Sequence, residues 1–411
     1  MFYEMKEIKL KPFFYILLVI FLLAGCDKGK IQRKEINNTE KLFHDSLNIN
    51  MLNDTIFILH IDSSINAGIK YLNKKQKLFG YWDSFFCKDK GFNKERHHAP
   101  PIFPTIVILS NLKESSFDEL FFQKGLLYIL KVKEESHFLW SVFGNVKHQH
   151  QYYNEVFKPN CLVDPDIQTT VLAIKLLKTF VSFKKDKFNE ELLLFEKQKN
   201  NIGLYSSYLT NYYNENSCTD YDYRNAPSLG VNLDLLYFFD ENNIDMSQLS
   251  SAIFAEVDDS SFWASAIYWK SLPVLSLFAA NASESGSAIA YSMCKRFIED
   301  FETSCDSSCI ISLNDIELAS YIKAKITVLK VENTNHLDSF LFVLVGELLK
   351  RQNEDGSWEA EALYEAGYMQ DNITDEERSE AFGYFGSEAE TTAIAINALY
   401  SFKKLVENIY K

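Results

Sequence analysis

Two short stretches 276 residues apart carry the same punctuation, which limits the chain to folds built from copies of one unit. Ala67-Gly68-Ile69-Lys70-Tyr71-Leu72 runs to Gln76 and then to Gly80-Tyr81-Trp82. Leu348-Leu349-Lys350-Arg351-Gln352 runs to Asp355-Gly356-Ser357-Trp358, and in both stretches Trp follows Gln by six residues. A weaker copy starts at Lys124-Gly125-Leu126-Leu127 and ends at Phe138-Leu139-Trp140. The spacing predicts a helix, a tight turn whose glycine takes positive φ, and an aromatic that closes the turn against neighbouring helices.

A second signature follows these turns. Gln168-Thr169-Thr170-Val171-Leu172-Ala173 lies on Glu390-Thr391-Thr392-Ala393-Ile394-Ala395, with Pro104-Thr105-Ile106 as a shorter version. Threonines that open a helix can cap it, and small residues after them let helices approach. Thr105, Thr170 and Asn232 recur at intervals of 65 and 62 residues, so the unit is a helical hairpin of about sixty residues, five or six of which fill the domain. Helical periodicity dominates elsewhere, as in 166–180 and 337–349, and no series of alternating strands competes with it. With eight prolines and turn clusters between helical stretches, the fold class expected is all-α.

The first residues belong to a different problem. Lys6, Lys9 and Lys11 precede the apolar stretch Phe13 to Leu23, which falls short of the roughly 20 residues a spanning helix needs. With Leu22-Leu23-Ala24-Gly25-Cys26 at its end it reads as a signal peptide, residues 1–25. The Leu-Ala-Gly-Cys ending resembles the bacterial lipobox, which implies lipid on Cys26, a new N-terminus there and an extracytoplasmic protein held on a membrane. Residues 26–55, rich in Lys, Asn, Glu and Asp, read as a polar tether, and 56–411 as the folded domain. A net charge of −14 argues against a nucleic-acid partner, since phosphate binding needs a basic face. Six further cysteines permit disulfides outside the cytoplasm, and Cys305 with Cys309 is the easiest pair to join.

Taken together, Gln352 to Trp358 and Gln76 to Trp82 resemble the Gln-Trp repeat of the α/α-toroid superfamily of terpene cyclases, protein prenyltransferase β-subunits and thioester-containing complement-like domains. The resemblance spans roughly 56–405 and implies an (α/α) toroid of about six helical hairpins in two concentric rings, with the Thr-Thr helices inside, around a central cavity. No Cys-Gly-Glu-Gln-like string and no Asp-x-Cys with a downstream His is present, which disfavours the thioester and zinc branches. The class II cyclase branch carries Asp-x-Asp-Asp before an inner helix, and here that position reads Asp164-Pro165-Asp166-Ile167. By the resemblance Asp166 is the proton donor and Asp164 its supporting neighbour, although Ile167 replaces the last carboxyl. The same residues also read as a helix N-cap, with Asp near the positive helix end.

Trp140, Trp263, Tyr268, Trp269, Tyr384 and Phe385 are candidates for a wall that holds an isoprenoid-like ligand, and each is also an ordinary packing residue in type. His97-His98 and His148-Gln149-His150 lack a carboxylate at ligand spacing, so neither a metal nor any cofactor is expected. Three functions fit this reading. The first is a lipid-anchored binding protein whose cavity or rim takes an apolar molecule or a partner chain. The second is a class II cyclase-like isomerase using Asp166. The third is a carbohydrate-active α/α barrel with paired carboxylates.

Overall fold

The computed structural model describes residues 51–409 apart from 90–91, 116–118, 136, 150–161, 179, 181–188, 211, 214–224, 226, 259–270, 285, 333–338 and 368–381. Cys26, Trp263, Tyr268 and Trp269 therefore lie outside the described residues. Among those described, helices follow the chain as outer and inner members of hairpins. The inner members are α2 (Ile102–Leu112), α4 (Ile167–Lys178), α6 (Leu229–Glu241), α8 (Leu272–Ser283), α11 (Asp315–Val331) and α13 (Glu388–Ile409). Before them come the outer members α1 (Met51–Lys75), α3 (Glu119–Lys131), α5 (Asn189–Glu196), α7 (Ser247–Asp258), α9 (Ala288–Ser304) and α12 (Ser339–Lys350), with the short α10 (Ser307–Ile311) after α9.

Burial separates the two sets. Ten of the eleven residues of α2 and ten of the twelve of α4 are buried, against five of seventeen in α9. A helix apolar on every side has to sit inside other helices, whereas an amphipathic one sits at the surface. Contacts close the inner set into a ring: α2 lies on α4, α4 on α6, α6 on α8, α8 on α11, α11 on α13, and α13 returns to α2. The all-α toroid of about six hairpins that the resemblance implies is the architecture found, with six hairpins among the described residues.

The repeat signatures turn out to be one hydrogen-bonded joint used several times. In the first turn Trp82 Nε1 donates to Leu72 O (2.8 Å), and Trp82 N donates to Thr105 Oγ1 (3.5 Å). In the last, Trp358 Nε1 donates to Leu348 O (2.8 Å) and Trp358 N to Thr392 Oγ1 (3.1 Å). Trp140 does the same with Ile129 O (2.8 Å) and Thr170 Oγ1 (3.0 Å), and Tyr205 N donates to Asn232 Oδ1 (2.8 Å). Thr105, Thr170, Asn232 and Thr392 thus stand at equivalent stations, each accepting the backbone amide of the aromatic in the turn after the preceding outer helix. The buried amide needs such an acceptor, which is why a hydroxyl or amide side chain recurs in otherwise apolar helices.

The glutamines join one hairpin to another. Gln76 Nε2 donates to Gly80 O (3.0 Å) and to Phe121 O on α3 (2.8 Å). Gln352 Nε2 donates to Gly356 O (2.9 Å) and to Ser64 O on α1 (2.9 Å), while Ser64 Oγ donates back to Gln352 Oε1 (2.7 Å). The last turn therefore grips the first helix and shuts the ring. Gly80 (φ 98°) and Gly356 (φ 91°) fit these joints because a Cβ would lie 2.1 Å from Lys124 O and 2.4 Å from Ala67 O. In the weaker second copy Glu134 holds the glutamine's place and accepts from the Tyr213 hydroxyl at 2.6 Å.

One feature is additional to the expected helices. β1 (Ser84–Cys87), β2 (His97–Ala99), β3 (Tyr364–Gly367) and β4 (Phe382–Gly386) form an antiparallel sheet in the order β2-β1-β4-β3. Its strands are three to five residues long, too short for an alternating pattern to stand out. Phe86 pairs with Phe385, so the sheet exists only because the ring brings its ends together. Cys305 and Cys309 are disulfide-bonded, and Cys87 and Cys294 are buried free thiols.

Candidate functional site

Inside the inner ring lies a cavity of about 400 Å³ bounded by α2, α4, α6, α8 and α13 with Leu363. Val107, Leu172, Leu176, Leu277, Phe278, Leu363 and Ile394 give it an apolar wall. Ser110, Asn111, Lys175, Asp234, Tyr237, Asn281 and Asn397 project polar groups into that wall, and Lys113, Glu114, Lys178, Glu241 and Glu284 complete the lining. An apolar cleft of this size with a few convergent polar groups is the usual form of a small-molecule site.

The polar groups are tied to one another. Gln168 Nε2 donates to Asp234 Oδ2 (2.8 Å), and Asn397 Nδ2 donates to Asn111 Oδ1 (2.8 Å). Burial pushes Asp234 up to about 7, against the Gln168 bond and the nearby Lys175 charge. Burial also brings Lys175 down to about 8, helped by Lys113, and its ammonium sits over the Tyr237 ring 3.2 Å from the centroid. Glu284 is different. Burial works to raise it, but Lys323 (2.7 Å) and Lys113 (3.6 Å) hold it below the ordinary carboxylate range.

The sequence candidate Asp166 sits at the other end of α4, six residues and about 9 Å of helix rise from Leu172, the nearest cavity-lining residue on that helix. Asp166 Oδ1 accepts from Thr169 N (2.6 Å) and Oδ2 from Val142 N (2.8 Å). It is the N-cap of α4, and its backbone amide donates to Trp140 O (3.0 Å). Burial nevertheless pushes its carboxyl up to about 7, because the amides only partly offset the lost water. Asp164 is fully buried and accepts from Tyr213 N (3.1 Å).

Neither aspartate is among the residues that line the cavity, and neither is Trp140, which is fully buried in the core at its turn joint. Tyr384 and Phe385 lie on β4, where Phe385 packs on Phe86 (5.1 Å) and stacks on Tyr364 at 4.9 Å with rings 3° from parallel. His97 and His98 lie on β2, and His148 Nδ1 meets Asn145 Oδ1 at 2.8 Å. His150 lies outside the described residues. Among the described residues no group of three or more His, Cys, Asp or Glu is placed to hold a metal ion.

The structure adds a carboxyl that residue typing passed over. Glu390, fully buried on the first turn of α13, accepts from the hydroxyls of Ser387 (3.0 Å) and Ser84 (3.3 Å) through Oε2, while Oε1 has no hydrogen-bond partner. Burial pushes it up to about 7. Tyr364 stands near both Glu390 and Asp166: burial, then the charge of Glu390, then that of Asp166 raise its hydroxyl well above the ordinary value. The available signal was the repeat itself, since Glu390 occupies the station of Gln168, two residues before the joint threonine. For Asp234 the signal was one carboxylate in a largely apolar run, 229–239, beside the joint residue Asn232.

No protein-family model matches the chain, and no curated protein does. Solved structures do. The type II terpene cyclase MstE from Scytonema, in its apo form, is 13% identical with a TM-score of 0.57, over 85% of this chain and 99% of that one. A variant of the same cyclase in complex with its substrate, geranylgeranyl dihydroxybenzoate, is 12% identical with a TM-score of 0.57 over the same shares. A protein from Actinoplanes is 12% identical with a TM-score of 0.55, over 83% and 99%. At such identities the likeness is one of fold.

Proposed function

We propose that this chain is a lipid-anchored, extracytoplasmic protein that binds an apolar, isoprenoid-like small molecule in the cavity of its terpene-cyclase-like barrel. The observation that carries the reading is the cavity itself, about 400 Å³ inside the inner ring, whose lining joins seven apolar side chains to polar and charged ones. The likeness to a cyclase whose solved structures hold a prenylated aromatic supports the choice of ligand class. The polar groups on α2, α4, α6 and α13 would take the ligand's polar end, and the lipid on Cys26 would keep the protein where membrane-dissolved polyisoprenoids are reachable. Molecules extracted from the purified protein and identified by mass spectrometry are expected to include an apolar lipid. Leu172→Trp, which fills the cavity, is expected to lose it while the thermal transition is retained. Equal recovery from wild type and Leu172→Trp would place the lipid elsewhere and sink the reading.

A second reading, acid-initiated cyclisation, is favoured by buried carboxyls that keep a proton near neutrality at Asp166 and Glu390. In that reaction Asp166, which lies outside the residues that line the cavity, has to meet the alkene at its own site and gives its proton to one end of it. The π electrons form the new C–H bond, the carboxylate keeps the electrons of the broken O–H bond, and a carbocation is left at the other carbon. Asp166→Asn is expected to abolish product formation from a polyprenoid panel, with its cap bond to Thr169 N kept through the amide oxygen. Unchanged turnover in a folded Asp166→Asn protein would exclude Asp166 as the donor.

A further inference from the structure

We infer that the outer face formed by α3 and the turn at 77–80 docks on an anionic lipid surface. The chain is acidic as a whole, but its charge is divided. Residues 51–210 carry 21 Lys and Arg against 17 Asp and Glu, whereas 211–411 carry 13 against 33. Apolar exposure follows the same division: of nine exposed large apolar side chains among the described residues, eight fall within 59–202. Such an asymmetry between halves is a feature of proteins that meet a charged surface on one side.

The face is built from two segments. On α3, Leu120, Lys124, Leu127 and Lys131 follow one another at spacings of four, three and four, which places them on one stripe. The turn after α1 lies across that helix, because Gly80 fits only against the Lys124 carbonyl and Gln76 holds Phe121 O. It thereby brings Leu78 and Phe79 beside the stripe, with Lys131 Nζ 5.3 Å from the Phe79 ring centroid. Leu78 is 84% exposed, Phe79 and Leu127 65% each, and Leu120 58%. Apolar side chains interspersed with lysines suit the boundary between headgroups and acyl chains.

The fold does not need these apolar residues. The equivalent turn at the other end of the repeat array presents Glu354 and Asp355 before Gly356, at the stations of Leu78 and Phe79 before Gly80. One joint geometry thus carries opposite chemistry in the basic and acidic halves. Among the described residues no helix is long and apolar enough to cross a membrane, so the contact is peripheral.

The inference draws in part on the proposed lipid anchor. Anchoring would then raise the effective concentration of a weak contact.

The test uses the chain from Asp27, which contains every element of the closed ring and lacks the lipid, with phosphatidylcholine vesicles made with or without phosphatidylglycerol. Co-sedimentation is expected only with the anionic vesicles and should weaken as salt is raised. Leu78→Asp with Leu127→Asp is expected to reduce partitioning about tenfold or more, with an unchanged thermal transition, since both side chains are exposed. Val331→Asp, at the exposed apolar residue in the acidic half, should leave partitioning as it was. Absence of binding to anionic vesicles, or equal losses from Val331→Asp, would overturn the inference and leave a protein partner as the occupant. The anchor is scored separately, by mass spectrometry of the N-terminal peptide from the full chain, so either idea can fail without the other.

Discussion

Trp358→Ala is expected to destabilise the domain by about 3–5 kcal/mol, enough to leave many single domains largely unfolded. The side chain is fully buried, and its removal opens a cavity beneath the turn that closes the ring. The indole also satisfies Leu348 O, an acceptor at the end of α12, which would lose its partner in a place water reaches poorly. The damage does not stay local. Trp358 N and Thr392 join the last outer helix to the last inner one, and Gln352 in the same turn holds α1 through Ser64. Loosening this joint therefore weakens the seam between the two ends of the chain, where no covalent connection holds the ring shut. Chemical denaturation of the variant, followed by helical circular dichroism, checks the effect. A midpoint within experimental scatter of wild type would mean that the turn is not the closing joint.

Stability is expected to fall as pH rises from mildly acidic to mildly alkaline, the reverse of the usual salt-bridged carboxylate. Glu390 has its native pKa raised from 4.5 to about 7 and Asp166 from 3.8 to about 7, each chiefly by burial. Between those values the folded chain holds protons that the unfolded chain has released, so protons favour the native state. The contribution is whole below the ordinary carboxylate values and is lost as pH climbs through about 7. Each pH unit of that interval is worth somewhat over 1 kcal/mol per group, so a few kcal/mol are at stake at Glu390. Glu390→Gln isolates the effect: the amide is neutral throughout, and its carbonyl can still accept from Ser84 and Ser387. Thermal unfolding of this variant should depend on pH less steeply than wild type between about 5 and 8. Parallel pH profiles would show that Glu390 is not the group being titrated.

The repeats were legible because they are local physics stated several times. A glutamine, a glycine and a tryptophan at fixed spacing describe one turn whatever surrounds it; the threonine near the next helix start reads in sequence as a cap, and the structure has it accept the amide of that turn's aromatic instead. Asp166 was legible as a helix cap. Its place before α4 suits that role, and the Thr169 amide shows the role in use, while the second carboxyl oxygen accepts from Val142 N in the preceding turn. Glu390 was visible only as the counterpart of Gln168, because nothing in its own neighbourhood signals that Ser84, more than three hundred residues away in sequence, will be its partner.

The sequence alone determined the helical unit, its recurrence in five or six copies and the glycine turn that ends the outer helix, since turn geometry and helix periodicity depend on residues within one or two turns of each other. Tertiary structure alone decided the four-stranded sheet, the pairing of Glu390 with Ser84, and the cavity bearing Lys175 and Asp234. Those features need segments from opposite ends of the chain to meet. Closure of the ring imposes that meeting, and no local preference encodes it.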